Sequence, residues 1–267
     1  MVEDQGIGEP AITPAPEVST QEEETLNFDK VTRHPWKPST ELLISVAPRG
    51  AGVEQFRKLR SRLSGFRDEA PLKTLLVSSG MPEEGKTFVT ANLALSLGRN
   101  GDKSVLLIDG DMRRPKLHIL LGAPNSPGLS EYLAGTAEPA AIMQRDVHFK
   151  SAEAGNAGGV SSLTFIPAGK CGDNASELVA NHRIEQLIKT VSPHFDWVLI
   201  DASPVLIVAD AVDLARAADG VVLVVRAGVT RFEDAQRTQS AFANSRLLGV
   251  VLNAAKGVPR KEYYYDY

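Results

Sequence analysis

Gly80-Met81-Pro82-Glu83-Glu84-Gly85-Lys86-Thr87 fits the spacing G-x-x-x-x-G-K-[ST], which points to phosphate chemistry. Glycines at those positions let a loop turn tightly enough for its backbone N–H groups to cradle phosphate oxygens, and the helix that follows adds more free N–H groups. Lys86 is placed to reach β- and γ-phosphates, and the Thr87 hydroxyl to ligate Mg2+. Two acidic sites accompany the loop. Four apolar residues lead into Asp109-Gly110-Asp111, and another four lead into Asp201-Ala202-Ser203-Pro204. A carboxylate straight after a buried run is costly unless it meets a cation, and Mg2+ is such a cation. One Asp at a strand end is more often a turn or cap residue. Three beside one phosphate loop point instead to metal binding and proton abstraction.

These residues need a frame that brings strand ends together. Short apolar runs at 72–79, 104–109, 163–167, 197–201, 220–225 and 247–252 have the length of strands buried on both faces. Helical stretches are expected at about 53–65, 86–99, 128–134, 175–191, 209–217 and 231–243. Such alternation implies right-handed crossovers and a parallel sheet in a doubly wound α/β fold. Carboxylates at the carboxyl edge of that sheet lie where ligands bind in this architecture. Residues 138–162 turn Gly/Ala/Ser-rich and read as a surface excursion.

The chain has 267 residues, 43% apolar and 23% charged, with a net charge of −4. That is ordinary for a protein with a real core, and it excludes collagen, disulfide scaffolds and integral membrane proteins. No basic start and apolar stretch of a signal peptide opens the chain, and the single cysteine, Cys171, agrees with a reducing compartment; both favour the cytoplasm. Eight acids and no Lys or Arg fall in residues 1–29, among several prolines, so residues 1–38 are expected to be a disordered acidic arm. The remainder is only mildly and diffusely positive, which argues against nucleic acid as a partner. The histidines show no metal-ligand spacing. Arg113 and Arg114 are as suited to surface ion pairs as to phosphate. At the other end Tyr263, Tyr264, Tyr265 and Tyr267 cluster after a loop-like stretch, where composition alone allows either a docked or a free tail.

Together these motifs resemble the cytoplasmic kinase domain of the bacterial tyrosine kinases, P-loop enzymes of capsule and exopolysaccharide synthesis. Residues 80–87 resemble the family's Walker A loop, 106–113 its second Walker motif and 200–204 its Walker B motif. Glu54-Gln55-Phe56-Arg57-Lys58-Leu59-Arg60 matches the E-x-x-R-x-x-R helix through which members assemble, and residues 248–253 resemble the strand whose Asn lies near adenine. The resemblance covers roughly residues 45–267. It implies a P-loop NTPase-like, doubly wound α/β fold with a mainly parallel sheet and helices on both faces. The kinase domain is expected over 39–255, and a flexible tyrosine cluster over 256–267.

The resemblance further implies ATP and Mg2+ as cofactors. Gly80, Glu84, Gly85, Lys86, Thr87, Phe88 and Asn253 would bind the nucleotide, and Thr87, Asp109 and Asp201 the metal. Lys86, Asp109, Asp111 and Asp201 would be catalytic, with Asp109 or Asp111 accepting the tyrosine proton. Tyr263, Tyr264, Tyr265 and Tyr267 would be the autophosphorylation sites, modified in trans within a ring-like homo-oligomer built through Glu54, Arg57 and Arg60. A membrane-embedded activator of the chain-length-determinant type and a phosphotyrosine phosphatase are the implied partners, with recruitment to the inner face of the plasma membrane. Glu83, where the family often has Gly, adds a carboxylate expected to weaken nucleotide binding.

Two other readings stand beside this one. A partition or septum-positioning ATPase would carry K-G-G-x-G-K-T, whose first lysine falls on Met81 here. A catalytically weak, nucleotide-dependent scaffold for polysaccharide export draws on Glu83.

Overall fold

All six apolar runs become strands, and they lie in one eight-stranded sheet. The computed structural model describes residues 26–43, 50–99, 103–148, 163–171 and 175–255. The strands are β1 (Thr32–His34), β2 (Thr74–Ser79), β3 (Val105–Asp109), β4 (Gln144–Asp146), β5 (Leu163–Ile166), β6 (Trp197–Asp201), β7 (Gly220–Arg226) and β8 (Leu247–Asn253). Their order across the sheet is β1-β4-β5-β3-β6-β2-β7-β8. Every pairing is parallel except β4 with β5.

β2, β3 and β6 are buried along their whole length, so both faces need apolar residues. Alternate side chains feed two cores. Leu76, Leu106, Ile108, Val198 and Ile200 enter one, while Leu75, Val77, Val105, Leu107, Trp197 and Leu199 enter the other. Helices α1 (Ala51–Glu69) and α2 (Lys86–Gly98) cover the second face. Val53, Phe56 and Leu63 form the buried stripe of α1, and α2 is buried on nearly every side. Short helices α3 (Leu117–Leu121) and α4 (Leu129–Leu133) follow β3. On the first face, α5 (Ala175–Ala180), α6 (Arg183–Val191) and α7 (Asp210–Ala215) supply core residues, and α8 (Phe232–Ala241) joins β7 to β8.

Three expectations need correction. The arm expected to be disordered through residue 38 carries structure from Leu26 on: a 3-10 turn at Phe28–Lys30 leads into β1. Val31 and Trp36 are buried, the Trp36 N–H donates to Asp146 Oδ2 at 2.9 Å, and Phe28 meets His194 and Phe195 edge-on. Few apolar anchors suffice because the sheet already offers β4 as an edge to pair with. Residues 1–25 lie outside the described residues, as do 256–267 with all four tail tyrosines. The surface excursion is also shorter than expected, since Ala140, Ile142 and Met143 are buried and residues 144–146 form β4; residues 149–162 lie outside the described set. Finally, the helix expected over 175–191 breaks in two. His182 sits at φ 60° and Asn181 Oδ1 accepts the Arg183 N–H at 3.1 Å, a side chain starting a new helix.

Candidate functional site

Parallel pairing sets the acidic residues level with one another. Asp109 lies opposite Asp201 across β3 and β6, and Val77 of β2 lies opposite Asp201 on its other side. The loop of residues 80–85 therefore leaves β2 beside both carboxylate-bearing turns and feeds α2.

Both glycines of that loop leave no room for a side chain without displacing a neighbour. A Cβ on Gly80 would lie 2.2 Å from Thr238 Oγ1, and one on Gly85, at φ +93°, 2.0 Å from Asn253 Nδ2. Glu83 also takes the left-handed region, at φ 65°, with its side chain exposed. The loop is braced from inside. Glu84 is buried; its Oε2 accepts the Met81 N–H at 2.9 Å and its Oε1 accepts the Thr230 hydroxyl. Asn253 Nδ2 donates to the Glu84 carbonyl at 2.9 Å, and Arg226 Nη1 to the Glu83 carbonyl at 2.9 Å. Of the residues expected to bind nucleotide, Glu84 thus uses its carboxylate as an internal strut. Phe88 turns its ring to Phe56, with centroids 6.0 Å apart, which leaves its backbone N–H as the group available to a ligand. Asn253 holds the loop directly.

Lys86 and Thr87 open α2 behind Gly85, where the first N–H groups of a helix have no intrahelical partners and the dipole favours anions. Lys86 Nζ lies 2.7 Å from Asp111 Oδ2 and 3.5 Å from Asp201 Oδ2. The Thr87 hydroxyl donates to Asp201 Oδ2 at 2.6 Å, and Thr90 Oγ1 donates to the Lys86 carbonyl at 2.8 Å. Asp109 is held by backbone alone: Oδ1 accepts the Asp111 N–H at 3.3 Å and Oδ2 the Leu117 N–H at 3.0 Å. Asp111 Oδ1 accepts the Ser203 hydroxyl and the Arg114 N–H, each at 3.1 Å.

All three carboxylates are buried. Burial, then the charge of Asp201, pushes Asp109 well above the usual carboxylate range, with Lys86 opposing. Burial also raises Asp201, again against Lys86. For Lys86 burial works to lower the ammonium, but Asp201 and Asp111 outweigh it and the net shift is upward. The cluster is therefore short of positive charge. A metal–phosphate group entering here would meet an ammonium, helix N–H groups and carboxylates that gain from added cationic charge. Among the described residues no set of three His, Cys, Asp or Glu side chains is arranged to hold a metal by itself.

Other expected residues take different places. Arg113 pairs with Asp210 at 3.1 Å and donates to Ser176 Oγ at 2.6 Å. Glu54 and Arg57 form an exposed pair on α1. Arg60 donates to the Ser96 carbonyl in the last turn of α2, 2.7 Å away. Sequence reasoning missed the struts Thr230 and Arg226, whose separation in the chain from the loop left no signal. Ser203 was visible two residues after Asp201 but carried no role.

No family model matches the chain. Over 220 residues it is 32% identical to the tyrosine-protein kinase YwqD of Bacillus subtilis strain 168, covering 82% of this chain and 87% of that one. The tyrosine-protein kinase wzc of Salmonella typhimurium strain LT2 is 31% identical over an alignment that takes in all of this chain but only 36% of that protein. Among solved structures, the kinase domain of the Escherichia coli tyrosine kinase ETK superposes with a TM-score of 0.73 at 31% identity, covering 88% of each chain.

Proposed function

The chain belongs to the bacterial tyrosine kinases, a branch of the P-loop NTPases, and on that premise we propose that it transfers the γ-phosphoryl group of ATP to the tyrosines of its own C-terminal cluster, in trans between copies. The observation that carries this reading is the convergence of Lys86, Thr87, Asp111 and Asp201 at the mouth of a braced phosphate loop, in a chain ending in Tyr263, Tyr264, Tyr265 and Tyr267.

When bound, Mg-ATP supplies the phosphoryl group and neutralises charge as it moves. The loop N–H groups and the start of α2 cradle phosphate oxygens, and Lys86 turns from Asp111 toward the β- and γ-phosphates. Thr87 and Asp201, already in contact, lie where they would share the metal with those oxygens, because Mg2+ is usually bound through one or two carboxylates plus phosphates. Asp109 has both oxygens on backbone N–H groups and is the less free of the two turn acids. Asp111 Oδ2, released by Lys86, is the better placed to accept the tyrosine proton as the new P–O bond forms and the bridging bond to ADP breaks. Tyrosine has a pKa near 10, so the carboxylate need only take the proton as bonding proceeds.

Around this reaction we place a homo-oligomer formed through α1 with Glu54 and Arg57, a membrane-embedded activator, and a phosphatase that resets the tail. The setting is the inner face of the plasma membrane during exopolysaccharide or capsule export. No helix among the described residues is long and apolar enough to cross a membrane. The test is transfer of label from γ-labelled ATP to wild type, Lys86→Ala and a chain ending at Ala255. Label in wild type alone is expected; wild-type levels in the shortened chain would overturn the tail as acceptor.

A further inference from the structure

Asp111 is the one of the three site carboxylates with a tether from another strand's turn. Its two oxygens divide their partners: Oδ2 faces Lys86 Nζ at 2.7 Å, while Oδ1 accepts the Arg114 N–H and the Ser203 hydroxyl. Ser203 itself cannot drift. Its carbonyl accepts the Ser78 hydroxyl at 2.9 Å, and its neighbours are pinned by Ala202 N–H to the Val77 carbonyl and Val205 N–H to the Ser79 carbonyl, both 2.9 Å. Side chain and carboxylate are buried, so water does not replace the contact at little cost.

We propose that Ser203 is a positioning residue that acts through Asp111. Resting on the kinase reading above, it keeps Oδ1 tied to the β6 turn so that Oδ2 stays aimed at the incoming tyrosine hydroxyl after Lys86 leaves it. A hydrogen bond to a charged acceptor is stronger and more directional than a neutral one, which suits a tether that must survive the loss of the ammonium. Without the hydroxyl, Asp111 keeps only the Arg114 N–H and can rotate about its Cα–Cβ bond. Nucleotide contacts made by Lys86, Thr87 and the loop do not pass through Ser203, so binding and turnover should separate.

The experiment uses the full chain with Ser203→Ala, Asp111→Ala and the double variant. For Ser203→Ala, kcat for tail labelling should fall about tenfold, the size expected for one charged hydrogen bond. KM for ATP and the dissociation constant of a fluorescent ATP analogue should stay within twofold. In urea unfolding without nucleotide, Ser203→Ala should lower the midpoint in the wild-type background at least twice as much as in the Asp111→Ala background. Unchanged kcat, or kcat and nucleotide affinity falling together, overturns the proposal, and so do equal midpoint losses in both backgrounds. A wild type that transfers no label refutes the kinase reading instead, and the unfolding comparison then still decides whether Ser203 holds Asp111.

Discussion

Replacing Lys86 with alanine removes the cation that faces Asp111 and Asp201 and leaves their carboxylates buried without it. Removing one partner of a buried ion pair costs about 3–5 kcal/mol. The lower end applies here because Lys86 is itself 9% exposed and the Asp201 carboxylate, already raised by burial, can take up a proton. Nucleotide-free Lys86→Ala should therefore be about 3 kcal/mol less stable than wild type at pH 8, which for a chain this size lowers Tm by roughly 6–12 °C. The deficit should depend on pH. Asp109 and Asp201 are already raised, chiefly by burial, and Lys86 is what holds them down; without it they rise further. A carboxyl raised in the folded state binds its proton more tightly there than when unfolded. Its stability cost is thus absent below the ordinary carboxylate range, near pH 4, and grows as pH rises through the raised value. At pH 5 the deficit should shrink to about 1 kcal/mol, the part due to lost packing of the lysine stem. Urea unfolding at pH 5 and pH 8 measures both. A deficit equal at the two pH values, or none at pH 8, would refute the claim that the carboxylate cluster leans on Lys86.

Thr230→Val strips the buried Glu84 carboxylate of a half-buried donor and should cost about 1–2 kcal/mol, with ADP binding weakened roughly five- to tenfold in titration calorimetry; unchanged affinity would mean the strut does not shape the loop. Glu83→Gly relieves a left-handed residue by about 1 kcal/mol and removes an exposed carboxylate, so it should raise Tm by roughly 2–4 °C and tighten ADP binding. Weaker binding in that variant would reveal a contact for Glu83. Arg57→Ala should leave stability within about 0.5 kcal/mol, since its pair with Glu54 is exposed, yet shift the sedimentation profile toward monomer. An unchanged profile would remove α1 from the interface.

The central strands were legible because a strand buried on both faces needs apolar residues in a row, which is what 105–108 and 197–200 supply before each closing aspartate. The phosphate loop was legible because its glycines answer to steric demands at fixed spacing. Three-residue strands such as β1 and β4 leave no period to detect, and Trp36 alone did not reveal that Thr32–His34 would pair. The break at Asn181–His182 depends on one side chain bonding locally instead of continuing the helix. Within the site, residue types were readable and orientations were not. Glu84 turns inward to meet the Met81 N–H and Thr230, the latter 146 residues away, and Arg60 is drawn to Ser96 because α1 packs on α2. Asp111 and Asp109 look equivalent in sequence; their partners separate them, backbone N–H groups alone for Asp109 and the side chains of Lys86 and Ser203 for Asp111.

The central claim is that this loop and these carboxylates phosphorylate the chain's own tyrosine tail. Phosphotyrosine mapping by mass spectrometry of purified wild type and Lys86→Ala, each incubated with Mg-ATP, tests it most directly. The account predicts phosphate on Tyr263, Tyr264, Tyr265 or Tyr267 in wild type and none in Lys86→Ala. ATP turnover by a wild type whose tail stays unmodified, or equal tail phosphorylation in both proteins, would contradict it.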